Sequence, residues 1–128
     1  MKKEKIHLEY ALKATSKKIL WAAISTPSGL ESWFADRVVS DEKSVTFFWG
    51  KSESRTAAIT AMRAYSFIRF RWNDSTDHRD YFEIKMTNSE LTNDFTLEII
   101  DFAPADEADD LCDLWESQVD TLRRTCGF

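Results

Sequence analysis

Apolar and polar side chains alternate along residues 5–13 of the chain. The apolar positions are Ile6, Leu8, Tyr10 and Leu12. A period of two predicts a β-strand with one buried face and one solvated face. We therefore expect the fold to begin with a half-buried strand.

A helical period replaces this alternation after residues 15–16, a Thr-Ser pair in which either residue can cap a helix. Pro27 ends this first helix because proline cannot continue the hydrogen-bond ladder. A second, short helix is expected to follow directly in the sequence. It is capped either by Thr26, with Pro27 in its first turn, or by Ser28 in a capping box with Glu31. The apolar stripe of the first helix consists of Ile19, Leu20, Ala23 and Ile24.

Six further strands are predicted from runs rich in aromatic and β-branched residues. They cover residues 37–39, 44–49, 55–62, 67–72, 81–86 and 95–102. Short polar joints with turn-forming residues separate them, which favours hairpins and an antiparallel sheet. The joint at residues 73–80 collects oxygen ligands and one histidine. It fits neither a calcium loop nor a zinc spacing, so we interpret it as a hairpin loop.

A long C-terminal helix is predicted from Pro104 onward. Its apolar stripe recurs at helical spacing at Leu111, Trp115, Val119, Leu122 and Cys126. Acidic residues near its start, and Arg123 and Arg124 near its end, complement the helix dipole. Gly127 can terminate it. About 22 residues of helix would span roughly 30 Å, the width of a small domain. The whole pattern predicts one α+β domain over residues 1–128.

The composition is that of a globular protein with a high share of aromatic residues. Of 128 residues, 43% are hydrophobic and 30% charged, and there are five Trp and nine Phe. Aromatic rings bury large areas. They either fill the core or line a cavity or a partner surface.

The net charge of −5 and the absence of a basic stripe argue against nucleic acid as a partner. No signal peptide and no membrane span are visible in the hydropathy pattern. Cys112 and Cys126 are separated by about 21 Å of helix, beyond disulfide reach, so we expect free thiols and a cytoplasmic location.

Three segments, taken in order, resemble one known family. The helix pair at residues 19–34 carries a Pro-Ser-Gly-Leu turn followed by Trp33 and Phe34, and the strand at residues 67–72 ends in Trp. The closing helix carries the segment Leu-Trp-Glu-Ser-Gln-Val-Asp-Thr-Leu at residues 114–122. Together they resemble the START-like superfamily (SRPBCC, birch-pollen-allergen type), and within it the branch related to the activator of the heat-shock protein 90 ATPase.

The resemblance implies a helix-grip fold. In that fold a curved antiparallel sheet of six to seven strands encloses a cavity beneath the long helix, and the cavity takes a small hydrophobic or amphipathic ligand. The family also includes chaperone activators and cyclases. A protein-interaction module and a cyclase-like enzyme therefore remain alternative hypotheses. A homodimer through a sheet edge or a helix is a further option that the sequence leaves open.

Two departures from the family pattern bear on the size of the cavity. The usual glycine pair before the third strand is replaced by residues 41–44, Asp-Glu-Lys-Ser, and the glycine usual before the closing-helix Trp is Leu114. The larger side chain at position 114 could fill part of the space between helix and sheet.

The candidate ligand-binding residues are the aromatic side chains of the strands and of the two flanking helices, together with one valine. They are Trp33, Phe34, Phe47, Trp49, Phe70, Trp72, Phe82, Trp115 and Val119. The alternative is that they pack as core. We expect ligand access between the second helix, at Trp33 and Phe34, and the closing helix, at Trp115 and Val119.

Arg55 and Arg69 are the polar cavity candidates. Either could hold a ligand carboxylate through its guanidinium group, or could form a cross-strand pair on the solvated face. No Ser-His-Asp set, glycine-rich phosphate loop or Cys-x-x-Cys motif is present. The sequence therefore assigns no catalytic residue, and we expect no cofactor and no metal.

Overall fold

A computed structural model describes residues 3–14, 16–75, 80–89, 91–92 and 94–128. The strands are β1 (Lys3–Leu12), β2 (Arg37–Ser40), β3 (Ser44–Trp49), β4 (Glu53–Arg63), β5 (Phe67–Trp72), β6 (Tyr81–Asn88) and β7 (Phe95–Pro104). The helices are α1 (Lys17–Ser25), α2 (Pro27–Glu31) and α3 (Ala108–Cys126), with a 3₁₀ turn at Ala105–Glu107.

The seven strands form one antiparallel sheet in the order β1-β7-β6-β5-β4-β3-β2. Consecutive strands from β2 to β7 pair as hairpins, and β1 closes the far side against β7 over its whole length. A register shift between Ile59 and Ala61 interrupts the pairing of β4 with β5. Such irregularities bend a strand and increase its twist. The expected α+β helix-grip architecture is confirmed.

The helix pair begins and ends where its capping residues lie. Ser16 accepts a hydrogen bond from the amide of Ile19 at 3.2 Å. Thr26 caps α2 by accepting from the amide of Gly29 at 3.0 Å, with Pro27 in the first turn. Of the two predicted caps for α2, the structure has Thr26 and not Ser28. Thr15, the other predicted cap of α1, lies outside the described residues, as do residues 76–79 of the predicted hairpin loop.

The closing helix starts four residues later than the sequence predicted. Pro104 has extended backbone angles and pairs with Lys3 as the last residue of β7. Proline fits an extended strand end as well as a first helical turn, so its presence alone did not decide the boundary. At the other end Gly127 has φ 72°, the left-handed conformation expected of a helix-terminating glycine.

The core lies between the concave face of the sheet and α3, with α1 and α2 at one end. On α3 the buried residues are Trp115, Val119 and Leu122. Inward and outward positions alternate without exception along β7, where Phe95, Leu97, Ile99, Asp101 and Ala103 are buried. Asp101 is the single charged residue in that inward series, which places a carboxylate on the concave face.

Both cysteines are free thiols. Among the described residues, no helix combines the length and the apolar character that crossing a membrane requires.

Candidate functional site

A cavity of about 400 Å³ lies between the concave face of the sheet and the first half of α3. Its exposed lining residues, Glu53 and Leu114, mark its mouth. The full lining consists of Lys3, Phe34, Trp49, Glu53, Arg55, Trp72, Asp80, Phe82, Asp101, Phe102, Leu111, Leu114, Trp115 and Gln118.

The predicted aromatic set divides between this cavity and the solid core. The members that line the cavity are Phe34, Trp49, Trp72, Phe82 and Trp115. The members that lie outside it, all buried, are Trp33, Phe47, Phe70 and Val119. The sequence left open whether these residues pack as core or line a cavity. In the structure, some members do the first and the others do the second.

The other members lie in dense ring packing, and Phe70 also lines a second cavity, of about 350 Å³, beside Leu30 and Val45. The ring centroid of Phe47 lies 5.6 Å from that of Phe70, and Phe70 stacks on Phe82 at 4.9 Å. Trp33 is fixed from the other side, because its indole Nε1 donates to the carbonyl of Ala23 at 2.8 Å. Close packing of this kind leaves no room for a ligand between these rings.

The Phe34 carbonyl connects the segment after α2 to β3 and α3, where ligand access was predicted. It accepts one hydrogen bond from Nε1 of Trp49 and another from Nε2 of Gln118, each at 2.9 Å. Farther along α3, Thr125 donates to the carbonyl of Ser32 at 3.3 Å. Phe34 is buried and Gln118 is half-buried, whereas Leu114 and Glu53 are exposed, so the mouth lies beside the latter two residues.

Leu114 does not fill the space beneath the helix as the sequence suggested. Its side chain is 54% exposed, whereas that of Trp115 is 2% exposed. Consecutive helical residues point about 100° apart, so only one of the pair can face the sheet. Trp115 takes the inward position, and the leucine lies at the cavity mouth.

Arg55 lies on the concave face and reaches the cavity. It is paired in register with Phe47 across β3 and β4, and its guanidinium group lies 4.0 Å from the ring centroid of Trp72. Nε and Nη2 donate to the two carboxylate oxygens of Asp74 at 2.9 and 2.8 Å. This hydrogen-bonded pairing raises the pKa of Arg55 and lowers the pKa of Asp74.

Arg69 lies on the opposite face of the sheet. It alternates with the fully buried Ile68 and Phe70 along β5, so it must point outward. There it donates two hydrogen bonds to Oε1 of Glu83, at 3.1 and 2.9 Å, and lies over the ring of Tyr81. Of the two arginine candidates, only Arg55 lines the cavity.

Asp101 is the functional candidate that sequence reasoning missed. Its Oδ2 accepts from Nε1 of Trp115 at 2.9 Å, and its Oδ1 accepts from the backbone amide of Phe102 at 2.8 Å. Burial raises the pKa of Asp101 to about 6, against the lowering effect of these two hydrogen bonds, and nearby Asp80 raises it further. In the sequence, Asp101 could have been recognised as an aspartate in an alternating strand whose other inward positions are all apolar.

Two further polar groups complete this end of the cavity. Asp80 is 5% exposed, and its Oδ1 lies 2.8 Å from Nζ of Lys3. Gln118 presents a buried Oε1 atom that has no hydrogen-bond partner among the residues that the structure describes. The site thus combines aromatic walls with a polar end that is rich in acceptors, which is the usual composition of a small-molecule site.

A separate, exposed group lies on β1 and β7. Nε2 of His7 is 3.4 Å from Oε1 of Glu98 and 3.8 Å from Oε1 of Glu9. These three side chains could in principle share a metal ion. They are solvated, and exposed acidic groups commonly gather without a metal, so this group does not add to the cavity site.

The family model described as START-like superfamily domain matches residues 1–128. No curated protein matches the sequence. The solution NMR structure of BfR322 from Bacteroides fragilis has 72% sequence identity to this chain and a TM-score of 0.70, covering 100% of this chain and 94% of that chain.

More distant solved structures share the fold alone. The Aha1 dimer from Colwellia psychrerythraea has 13% identity and a TM-score of 0.74, covering 93% of this chain and 92% of that chain. DynU16, from the dynemicin biosynthetic locus, has 16% identity and a TM-score of 0.73, covering 94% of this chain and 46% of that chain.

Proposed function

The chain belongs to the START-like superfamily, and from this membership and the cavity geometry we propose that it binds a small hydrophobic or amphipathic molecule between the sheet and α3. The proposed contact residues are the five aromatic cavity residues and Arg55.

The cavity itself carries this proposal. Its volume of about 400 Å³ falls within the range typical of small-molecule sites. Three indole rings, those of Trp49, Trp72 and Trp115, surround it, while Asp101 and Arg55 supply polar groups at one end. Apolar walls with a few convergent polar groups favour an amphipathic ligand.

Native mass spectrometry of the protein purified from its own host tests the proposal. We expect a retained ligand to appear as a mass adduct, and the same spectrum reports the oligomeric state. Leu114→Trp should reduce the adduct, because the larger ring lies at the cavity mouth. Leu91→Trp, at a 96% exposed position away from the lining, is the matched control. Equal adducts in both variants, or none in the wild type, would count against a ligand in this cavity.

An acid–base enzyme is a second candidate function, and Asp101 is the observation that favours it. Burial raises its pKa to about 6, close to neutral pH, where a carboxyl group can both take up and release a proton. Asp80 supplies a second titratable group in the same cavity. The test is to incubate the recovered ligand with the protein in D₂O. Deuterium incorporation that disappears in Asp101→Asn supports catalysis, and no incorporation argues for binding alone.

A protein partner and a homodimer are further hypotheses that concern the outer surface. Each end of the sheet presents a strand edge, at β1 and at β2. The exposed acidic residues of α3 are Asp109, Asp110, Asp113, Glu116 and Asp120. Light scattering after size exclusion tests the dimer. A chaperone ATPase rate that does not change on addition of the protein would argue against the activator role. A cytoplasmic location, consistent with the two free thiols, also remains a prediction.

A further inference from the structure

We propose that the ligand of this cavity is a hydrophobic amine in its protonated form, with its ammonium group at Asp101 and Gln118 and its apolar part against the tryptophan rings. This inference rests on the proposed binding function and specifies the chemical class of the ligand.

The side chains of Asp101 and Gln118 present hydrogen-bond acceptors that the described residues do not fully use. Each carboxylate oxygen of Asp101 accepts one hydrogen bond from the described residues, from Trp115 or from Phe102, and a carboxylate oxygen can accept two. The buried Oε1 of Gln118 accepts no hydrogen bond from the described part of the chain. The orientation of this amide follows from its contact, since Nε2 donates to the Phe34 carbonyl and an oxygen at that position would face another acceptor. A ligand that supplies donors would satisfy these atoms.

The cations that line the cavity are already paired. Arg55 donates two hydrogen bonds to Asp74, and Nζ of Lys3 lies 2.8 Å from Asp80. Within the part of the chain that the structure describes, no cation forms an ion pair with Asp101. A ligand carboxylate would have to displace an existing partner, whereas a ligand ammonium would meet a carboxylate that interacts with Lys3 and Arg55 only at longer range.

The aromatic walls favour the same charge. The faces of Trp and Phe rings carry partial negative charge and attract cations, most strongly when the site is desolvated. Trp49 and Trp115 line the cavity with Glu53 at its mouth, while the guanidinium group of Arg55 already covers the ring of Trp72. The rings and the acceptors thus both select a cationic ligand over an anionic one.

Three probes with the same indole ring and different head groups test this inference, namely tryptamine (ammonium), tryptophol (hydroxyl) and indole-3-acetate (carboxylate). Each is titrated into ¹⁵N-labelled wild-type protein. We expect tryptamine to bind at least about tenfold more tightly than tryptophol, since a charge-assisted hydrogen bond is worth about that factor. Indole-3-acetate should bind most weakly. The indole N–H signal of Trp115, assigned by its loss in Trp115→Phe, should shift.

Asp101→Asn should bring the affinity ratio of tryptamine to tryptophol close to one. Asp113→Asn, on the exposed face of α3, should keep the wild-type ratio. The ranking of the three probes uses the wild-type protein, so it holds even if a variant fails to fold.

The results of the probe titrations can disprove the amine assignment without disproving the proposed ligand-binding function. Equal affinities for the three probes, or tightest binding of indole-3-acetate, would overturn the amine assignment and leave the ligand-binding function standing. If no probe shifts any signal from the cavity residues, both proposals fail.

Discussion

The indole Nε1 of Trp115 donates a 2.9 Å hydrogen bond to Oδ2 of Asp101. Both side chains are nearly inaccessible, with exposures of 2% and 8%. The bond joins the first half of α3 to the inward face of β7, and it forms one wall of the cavity. The indole N–H is a neutral donor, and burial has raised the pKa of the carboxylate that accepts from it. This contact should therefore affect the pH dependence of stability as well as the proposed ligand site.

Protonation of Asp101 should make the stability of the protein depend on pH. Its folded-state pKa of about 6 lies above the ordinary value of 3.8, so between these values the folded state holds a proton that the unfolded state has released. The associated stabilisation is present at low pH and is lost as pH rises through about 6. It amounts to about 3 kcal/mol at most.

Urea denaturation of the wild type and of Asp101→Asn at pH 4, 5, 6 and 7 measures this effect. The variant cannot titrate, so its free energy of unfolding relative to the wild type should increase across the series. Asp113→Asn serves as the control for removing a carboxylate from α3. A difference between Asp101→Asn and wild type that stays constant from pH 4 to 7 would contradict the assigned pKa.

Trp115→Phe should lower the free energy of unfolding by about 1–3 kcal/mol, because it leaves the buried Asp101 with one donor fewer. Removal of this donor should also raise the pKa of Asp101 further. Chemical denaturation measures the first effect, and the pH dependence of stability the second. Trp21→Phe is the control, since within the described residues the indole N–H of Trp21 donates to no acceptor. Equal losses in the two variants would show that the hydrogen bond contributes little.

Gly29→Ala should destabilise the protein by about 1–3 kcal/mol, the usual cost of overpacking. A Cβ atom at this position would collide with the backbone of Ala22 and Ala23, where α2 crosses the end of α1. Thermal unfolding checks this. Ser28→Ala, at the neighbouring exposed position, should have a much smaller effect. A stable Gly29→Ala protein would mean that the two helices can separate without loss.

The two arginines on adjacent strands should respond differently to replacement by methionine. Arg69→Met leaves Glu83, which is 8% exposed, without its paired cation and should cost about 1–3 kcal/mol. Arg55→Met loses an exposed ion pair with Asp74 and should cost under about 1 kcal/mol. Denaturation compares stability and probe titration compares binding. We expect only Arg55→Met to alter binding. A change in ligand affinity on Arg69→Met at full stability would contradict the placement of Arg69 on the outer face.

Local periodicity explains which parts of the fold could be predicted. Alternation in β7 and the helical stripe of α3 depend only on neighbours in the chain, and so do the Ser16 cap and the terminating Gly127. The start of α3 was misplaced because proline suits both a strand end and a first helical turn. The division of the aromatic set was not predictable, since every member has the same apolar chemistry.

The sequence by itself determined the order of elements and the family. These features follow from patterns within a few residues. Only the tertiary structure decided which rings line the cavity and where its polar end lies. The contacts responsible join residues far apart in the chain, such as Gln118 to the Phe34 carbonyl across 84 positions and Trp115 to Asp101 across 14. Such pairs form only when α3 packs across the folded sheet, and no local pattern records where that crossing falls.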